Sequence, residues 1–194
     1  MSTVVMHAVV SVDGFIADAR DEVGPLFDWY FNGDTDIVAD GPFKVSKRSA
    51  DYVRPMWASI EAMVIGRRLF DLTKGWEGSP PAGHHVVVVS HRPKPHDWHP
   101  EASYYFMDDV ARAIARAKDL ARDRVVALTA GEVGGQALAL GLVDEVAMDV
   151  VPVVFGSGKR YFGSLDVQHL LEDAHIMIQG DRVLHLRYRV RRRM

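Results

Sequence analysis

Cysteine is absent from the 194 residues, which removes disulfides, thiolate metal sites and a cysteine nucleophile together. Any uninterrupted apolar run of membrane-spanning length is missing too. Met1 to Val12 has neither the basic start nor the longer apolar stretch of a secretory signal. Charge of one sign is also scarce: the net charge is -3 and the pI about 6.3, so the chain as a whole offers nucleic acid no basic footprint. The run Arg191, Arg192, Arg193 is a local exception and reads as a solvated end. These absences lead us to expect a cytoplasmic protein without nucleic-acid or membrane partners.

What is present is enough apolar sequence, 48%, for one sizeable core, and we read a single domain over residues 1–194. Val4 to Val12 reads as a buried first strand that ends in the turn chemistry of Asp13-Gly14. A long Asp- and Gly-rich loop follows from Ala17 to Gly41, interrupted by Phe27, Trp29, Tyr30 and Phe31. Loops of that length are usually functional, and this one is expected to close over a ligand. Ser49 to Ile60 has helical spacing, with Pro55 expected to start or kink the helix. Further strands are expected at Ala62–Ile65, His85–Val89, Tyr104–Met107 and Val125–Leu128. Helices are expected over Arg67–Lys74, over Val110–Ala121 with Asp108 as N-cap, and over Glu132–Leu140, stopped by Gly141. Val143–Val154, His169–Ile178 and Val183–Val190 have strand character, the last two joined by a turn at Gln179-Gly180-Asp181. Strands and helices alternate, then strands alone close the chain. The order predicts an α/β fold with a mainly parallel sheet and a C-terminal antiparallel hairpin.

Three predicted strands run into small or cationic residues: Gly66-Arg67-Arg68, Ser90-His91-Arg92, and Gly131-Glu132-Val133-Gly134-Gly135. In an open parallel sheet such carboxyl ends share one rim, where ligands bind. Glycine at a strand-to-helix turn lets backbone N–H groups approach phosphate, and arginine adds a permanent bidentate cation. Together they describe a site for a polyanion such as a dinucleotide. His84, His85, His91, His96 and His99 cluster without helical spacing, and no metal is assigned to them.

Six ordered segments carry a resemblance: Ser11–Ala17, Val64–Phe70, Val89–Pro93, Gly141–Glu145, Pro152–Gly158 and His185–Tyr188. Over nearly the whole chain they resemble the dihydrofolate-reductase-like family, in particular the C-terminal reductase domain of the riboflavin-biosynthesis deaminase-reductases. The resemblance implies a three-layer fold and NADPH, with the pyrophosphate near Gly66, Arg67 and the turn of Gly131, Glu132, Val133 and Gly134. The adenosine 2′-phosphate falls near Arg67, Ser90, His91 and Arg92, with Arg68 adding charge. Leu69 stands where many relatives have Thr, and the glycine turn is one residue shorter than the commoner form.

With hydride supplied by a nicotinamide, the protein need only align the acceptor and protonate it. Asp13, ending the first strand, and Asp28, in the aromatic loop, are the candidate acids. Each has a plainer reading, Asp13 as a turn former and Asp28 as a solvated acid. Trp29 could stack on a flat heterocycle or simply pack. Gly156 and Gly158, flanking Ser157 ahead of Lys159-Arg160, read first as a tight turn and second as a contact to a substrate phosphate. The leading expectation is an NADPH-dependent reductase of a pyrimidine riboflavin precursor or a pterin-like compound. An inactive nucleotide-binding or interaction protein on the same fold is the alternative. No cysteine-containing zinc deaminase signature can occur in this chain. A homodimer is expected, paired through Val143–Val154 and Val183–Val190, which were expected to end the sheet.

Overall fold

A computed structural model of the chain describes residues 2–191; Arg192 and Arg193 of the basic run lie outside them. The chain forms β1 (Val4–Ser11), β2 (Phe15–Ala17), a 3-10 segment (Gly24–Phe31), β3 (Thr35–Asp36), β4 (Lys44–Val45), α1 (Lys47–Ser59), β5 (Ile60–Gly66) and α2 (Arg67–Thr73). It continues through β6 (His85–Val89), β7 (Tyr104–Met107), α3 (Val110–Ala121), β8 (Val125–Thr129), α4 (Glu132–Ala139), β9 (Glu145–Val151), β10 (Lys159–Arg160), β11 (Ile176–Gln179) and β12 (Leu184–Arg189).

Eight of the strands make one sheet in the order β11-β12-β9-β1-β8-β5-β6-β7. The six from β9 to β7 are parallel, and β12 and β11 are added antiparallel at one side. Side chains alternate across the sheet, so β1 sends Val4, Met6 and Val10 into a cluster with α3 and α4, and Val9 into a second with Trp29, Tyr30 and Tyr52. A third cluster holds Ile65, Val88 and Phe70 of α2. Helices α3 and α4 therefore cover one face, and α1, α2 and the 3-10 segment the other, giving the expected three-layer α/β/α arrangement.

The local chemistry explains the helix ends. Ser46 caps α1 by accepting from the Ser49 N–H, and Asp109, one residue beyond the expected Asp108, caps α3 by accepting from Arg112 at 2.8 Å. At the end of α4, Leu142 N–H reaches Ala137 O and Gly141 N–H reaches Leu138 O, with Gly141 at φ +70. That double bond pattern is the left-handed stop the sequence suggested. Pro55 neither starts nor ends α1, because it lies on the exposed side of the helix, where a carbonyl left without its N–H partner can be solvated.

Two further expectations need correction. The long loop is not structureless: its 3-10 segment buries Leu26, Trp29 and Tyr30. Nor do β9 and β12 end the sheet, since β9 lies between β1 and β12 and β12 lies between β9 and β11, which is the edge on that side.

Gly134 and Gly135 bring α4 against the sheet and the segment after β10. A Cβ on Gly134 would stand 2.7 Å from the Thr129 carbonyl oxygen and 2.8 Å from Met6 Cε, and one on Gly135 would overlap the Phe162 carbonyl. Gly135→Ala is therefore expected to cost about 1–3 kcal/mol of stability. Thermal or urea melts check it, and an unchanged midpoint would contradict this close packing.

Candidate active site

The middle of a doubly covered sheet should be dry, yet here it is not. On the face carrying α1 and α2, His7 of the central strand keeps 23% of its side chain exposed, and Val125, Ala127 and Thr129 of neighbouring β8 are only half-buried. Register places His7 beside Thr129 and Val5 beside Ala127. A cleft thus reaches the centre of the sheet, floored by β8 and β1. Along it lies a cavity of about 20 Å³ bounded by Val5, His7, Met56, Ile60, Val125, Ala127 and Arg187.

His7 begins a chain of buried polar groups. Its Nε2 lies 2.9 Å from Asp149 Oδ2, and His185 Nδ1 lies 2.6 Å from Asp149 Oδ1. With that nitrogen protonated towards the carboxylate, His185 Nε2 accepts from the Ser49 hydroxyl at 2.9 Å, and the Ser46 hydroxyl donates to Ser49 at 3.2 Å. Burial alone would raise the pKa of Asp149, but the His7 charge and the hydrogen bonds from His185 and His7 outweigh it and hold the carboxyl well below its ordinary range. Nearby Tyr52 is pushed up to about 12 by burial and by the Asp149 charge.

The half-buried face of β8 runs on to the rim where β5, β6 and β8 end. Gly66 permits a close meeting of two turns, since a Cβ there would lie 3.2 Å from Val133 Cγ2. At the start of α4, Gly131 has φ +88, and the amides of Glu132, Val133 and Gly134 find no acceptor among the described residues. Three free N–H groups at a helix start favour an anion. Across the rim, Arg67 is held over Phe70, its Cζ 5.5 Å from the ring centroid, and donates from Nε to Asp71 at 2.8 Å and from Nη1 to Pro93 O at 3.1 Å. Arg92 donates to the other Asp71 oxygen at 2.7 Å. The hydrogen bond from Arg67, and then that from Arg92, outweigh desolvation and keep the Asp71 carboxyl below its usual pKa. Two guanidinium groups thus converge on one anionic group.

The sequence profile of the RibD C-terminal domain matches residues 2–185. The chain belongs to the RibD C-terminal domain family. Solved structures agree on the fold. A protein assigned to riboflavin biosynthesis from Shewanella sp. PV-4 is 19% identical with a TM-score of 0.72, over 99% of this chain and 100% of that one. The diaminohydroxyphosphoribosylaminopyrimidine deaminase/5-amino-6-(5-phosphoribosylamino)uracil reductase of Thermotoga maritima is 15% identical with a TM-score of 0.59, over 97% of this chain and 56% of that one. Enterococcus faecalis dihydrofolate reductase, complexed with NADP(H), is 13% identical with a TM-score of 0.56, over 97% and 96%. No protein of curated function matches the sequence.

In this RibD C-terminal domain the residues singled out by sequence do not all converge. Gly66, Arg67, Gly131, Glu132, Val133 and Gly134 meet on the rim, with Ser90, His91 and Arg92 at the next strand end. The Ser90 hydroxyl is used within its own turn, donating to Arg92 O at 2.6 Å and accepting from Arg92 N–H at 2.9 Å, and His91 is exposed. Glu132 accepts from the Ser164 hydroxyl at 2.8 Å. Arg68 turns away to pair with Asp21, so its charge is committed to the loop after β2.

Of the two proposed acids, Asp13 is tied up in a loop clamp. Asp13 accepts from the Ser11 hydroxyl at 2.6 Å and from the amides of Phe155 at 3.2 Å and Gly156 at 2.7 Å. The Ser11 bond and these amides keep its carboxyl ionised below the ordinary value, which suits a loop clamp and makes it a poor proton donor near neutrality. Asp28 is exposed on the 3-10 segment. Trp29 is 2% exposed and stacks on Tyr30 with centroids 4.0 Å apart, so the stacking platform suggested by sequence is corrected to a core residue. Gly158 has φ +147, and a Cβ there would overlap the Ala17 carbonyl, whereas Gly156 at φ +74 is open. The turn reading accounts for Gly158 by itself. What sequence reasoning missed is the His7–Asp149–His185–Ser49 chain. Its one signal was polar residues inside apolar strands, His7 in VVMHAVVS and Asp149 in EVAMDVV.

Proposed function

We propose that the protein is an NADPH-dependent reductase of a small heterocycle, with an aminopyrimidine of the riboflavin pathway as the substrate class. The observation that carries this reading is the anion-binding rim itself: free amides at the start of α4 and two arginines at the ends of β5 and β6, next to the half-buried face of β8 that runs beside His7. The cofactor is implied by the family, and the residues fit it. The free amides of Glu132, Val133 and Gly134 suit a pyrophosphate, and Arg67 with Arg92 suits a 2′-phosphate. When bound, NADPH supplies hydride. The chain's own residues then hold the acceptor flat against Ala127 and Thr129 and limit water around it. We also infer a homodimer, paired at the end of the sheet where β11 is the edge strand, to be checked by sedimentation, in which a single 21.6 kDa species would count against it.

Titration of both cofactors tests the reading. NADPH is expected to bind at least roughly tenfold more tightly than NADH at low ionic strength, because two guanidinium groups exceed what a ribose hydroxyl needs. Salt should narrow the gap. Arg92→Ala should narrow it too, while Asp71→Asn should widen it by releasing both arginines. Equal affinities at low salt would contradict the proposal.

A further inference from the structure

The geometry points to His7 as the acid that protonates the acceptor in the cleft, with Asp149, His185 and Ser49 as positioning residues behind it; this rests on the reductase reading above. A reduction by hydride needs a proton as well. Hydride from the dihydronicotinamide carbon adds to the acceptor carbon of a C=N or C=O bond, and the heteroatom takes a proton, giving a CH–NH or CH–OH product and the oxidised nicotinamide. His7 is the group placed to give that proton. It belongs to the central strand, lies in register with Thr129 at the end of β8, two residues before the Gly131 turn, bounds the small cavity and keeps part of its side chain exposed. Its Nε2 is taken by Asp149, so Nδ1 is the nitrogen left for a ligand. Imidazolium that loses the Nδ1 proton keeps the Nε2–H···Asp149 bond, and the ring is recharged from solvent. Asp149 is 1% exposed and cannot itself meet a ligand. The chain behind it fixes the carboxylate so that one oxygen always faces His7.

The charged and titratable groups around His7 come from three elements: Asp149 and Glu145 on β9, His185 and Arg187 on β12, and Tyr52 on α1. Arg187 and Glu145 pair with one another, which leaves Asp149 as the anion that answers a charged His7. Ser49, His185 and Asp149 also have the residue types of a hydrolytic triad, but Ser49 is 0% exposed and a Cβ on Gly180 would overlap its hydroxyl. No acyl group reaches it, so the chain serves His7 and not Ser49.

The test uses the full chain, NADPH or NADP+, and 5-amino-6-(5-phosphoribosylamino)uracil as the probe. First, histidine ring resonances of the wild type are followed with NADP+ present as the uracil is added, His7 being assigned by its loss in His7→Gln. The His7 signals are expected to move with the uracil and those of buried His185 to stay within a small fraction of that shift. Second, single-turnover NADPH oxidation is measured against pH. His7→Gln, whose amide can still donate to Asp149, is expected to be slowed at least about 100-fold. The wild-type rate should fall towards alkaline pH, the variant should lose that dependence, and NADPH affinity should change by less than threefold. Wild-type turnover with His7→Gln within threefold of it, or His7 signals that ignore a bound uracil, overturns the assignment alone. A wild type that neither binds the uracil nor oxidises NADPH with it overturns the reductase reading for this substrate and the assignment with it.

Discussion

Replacing Trp29 with alanine is expected to cost about 3–5 kcal/mol of stability, the range for emptying a large aromatic from a core. The indole is 2% exposed, stacks on Tyr30 and meets the His185 ring edge-on at a centroid distance of 5.3 Å. Removing it opens a cavity beside the buried polar chain as well as beside Leu26 and Val53. Trp29→Phe should cost far less, because the indole Nε1 has no hydrogen-bond partner among the described residues, and phenylalanine gives up no polar contact. NADPH affinity of either folded variant should remain within a few-fold, since the rim lies on other strand ends. Phe31→Ala, at a site 61% exposed, should change stability by no more than about 0.5 kcal/mol. Equal and small effects at both positions would mean that the 3-10 segment is a lid after all.

The second large effect is expected at Asp149. Asp149→Ala leaves His7 and His185 facing an empty site where a carboxylate accepted from both, and breaking a buried ionic pairing in this one-sided way costs about 3–5 kcal/mol. Asp149→Asn should cost less, because it keeps an acceptor. The pH dependence follows from the lowered pKa of Asp149 in the folded protein. A carboxyl depressed in this way contributes stability that is fully present above its unfolded value of about 3.9 and is lost as pH falls through the folded value. The part of the stability gap between wild type and Asp149→Asn that comes from the carboxylate is therefore expected to be present above about pH 4 and to shrink below it. Urea melts across that range measure the gap, and one that widens on acidification would reverse the sign argued here.

The sheet and its layers were legible because hydrophobic alternation, strand-end glycines and cap residues act locally. Gly141 stops α4 by the bond pattern its sequence position suggested, and three glycine- or arginine-bearing turns were placed at strand ends without knowing which strands were neighbours. What sequence could not show is where a side chain spends its hydrogen bonds. Asp13 looks like a free acid until the amides of Phe155 and Gly156 arrive from 142 and 143 residues away. Arg68 looks like cofactor charge until Asp21 takes it. His7, Asp149, His185 and Ser49 are far apart in the chain, and only the β1–β9–β12 pairing and the placement of α1 make them one network. Trp29 was ambiguous for a related reason, since loop length argued for a lid and only tertiary packing decides for core.

The central claim is that a nucleotide's phosphates sit on the rim formed by α4 and the Arg67–Arg92 pair. Backbone amide resonances followed during titration with NADP+ test it most directly. The account predicts the largest shifts at Arg67, Ser90, Arg92, Glu132, Val133 and Gly134, with Thr129 responding at the end of β8 and His7 beside it in the sheet centre. It predicts little change in the open hollow of about 610 Å³ lined by Asp36, Arg54 and Trp57. Shifts confined to that hollow, or none at millimolar nucleotide, would contradict the account.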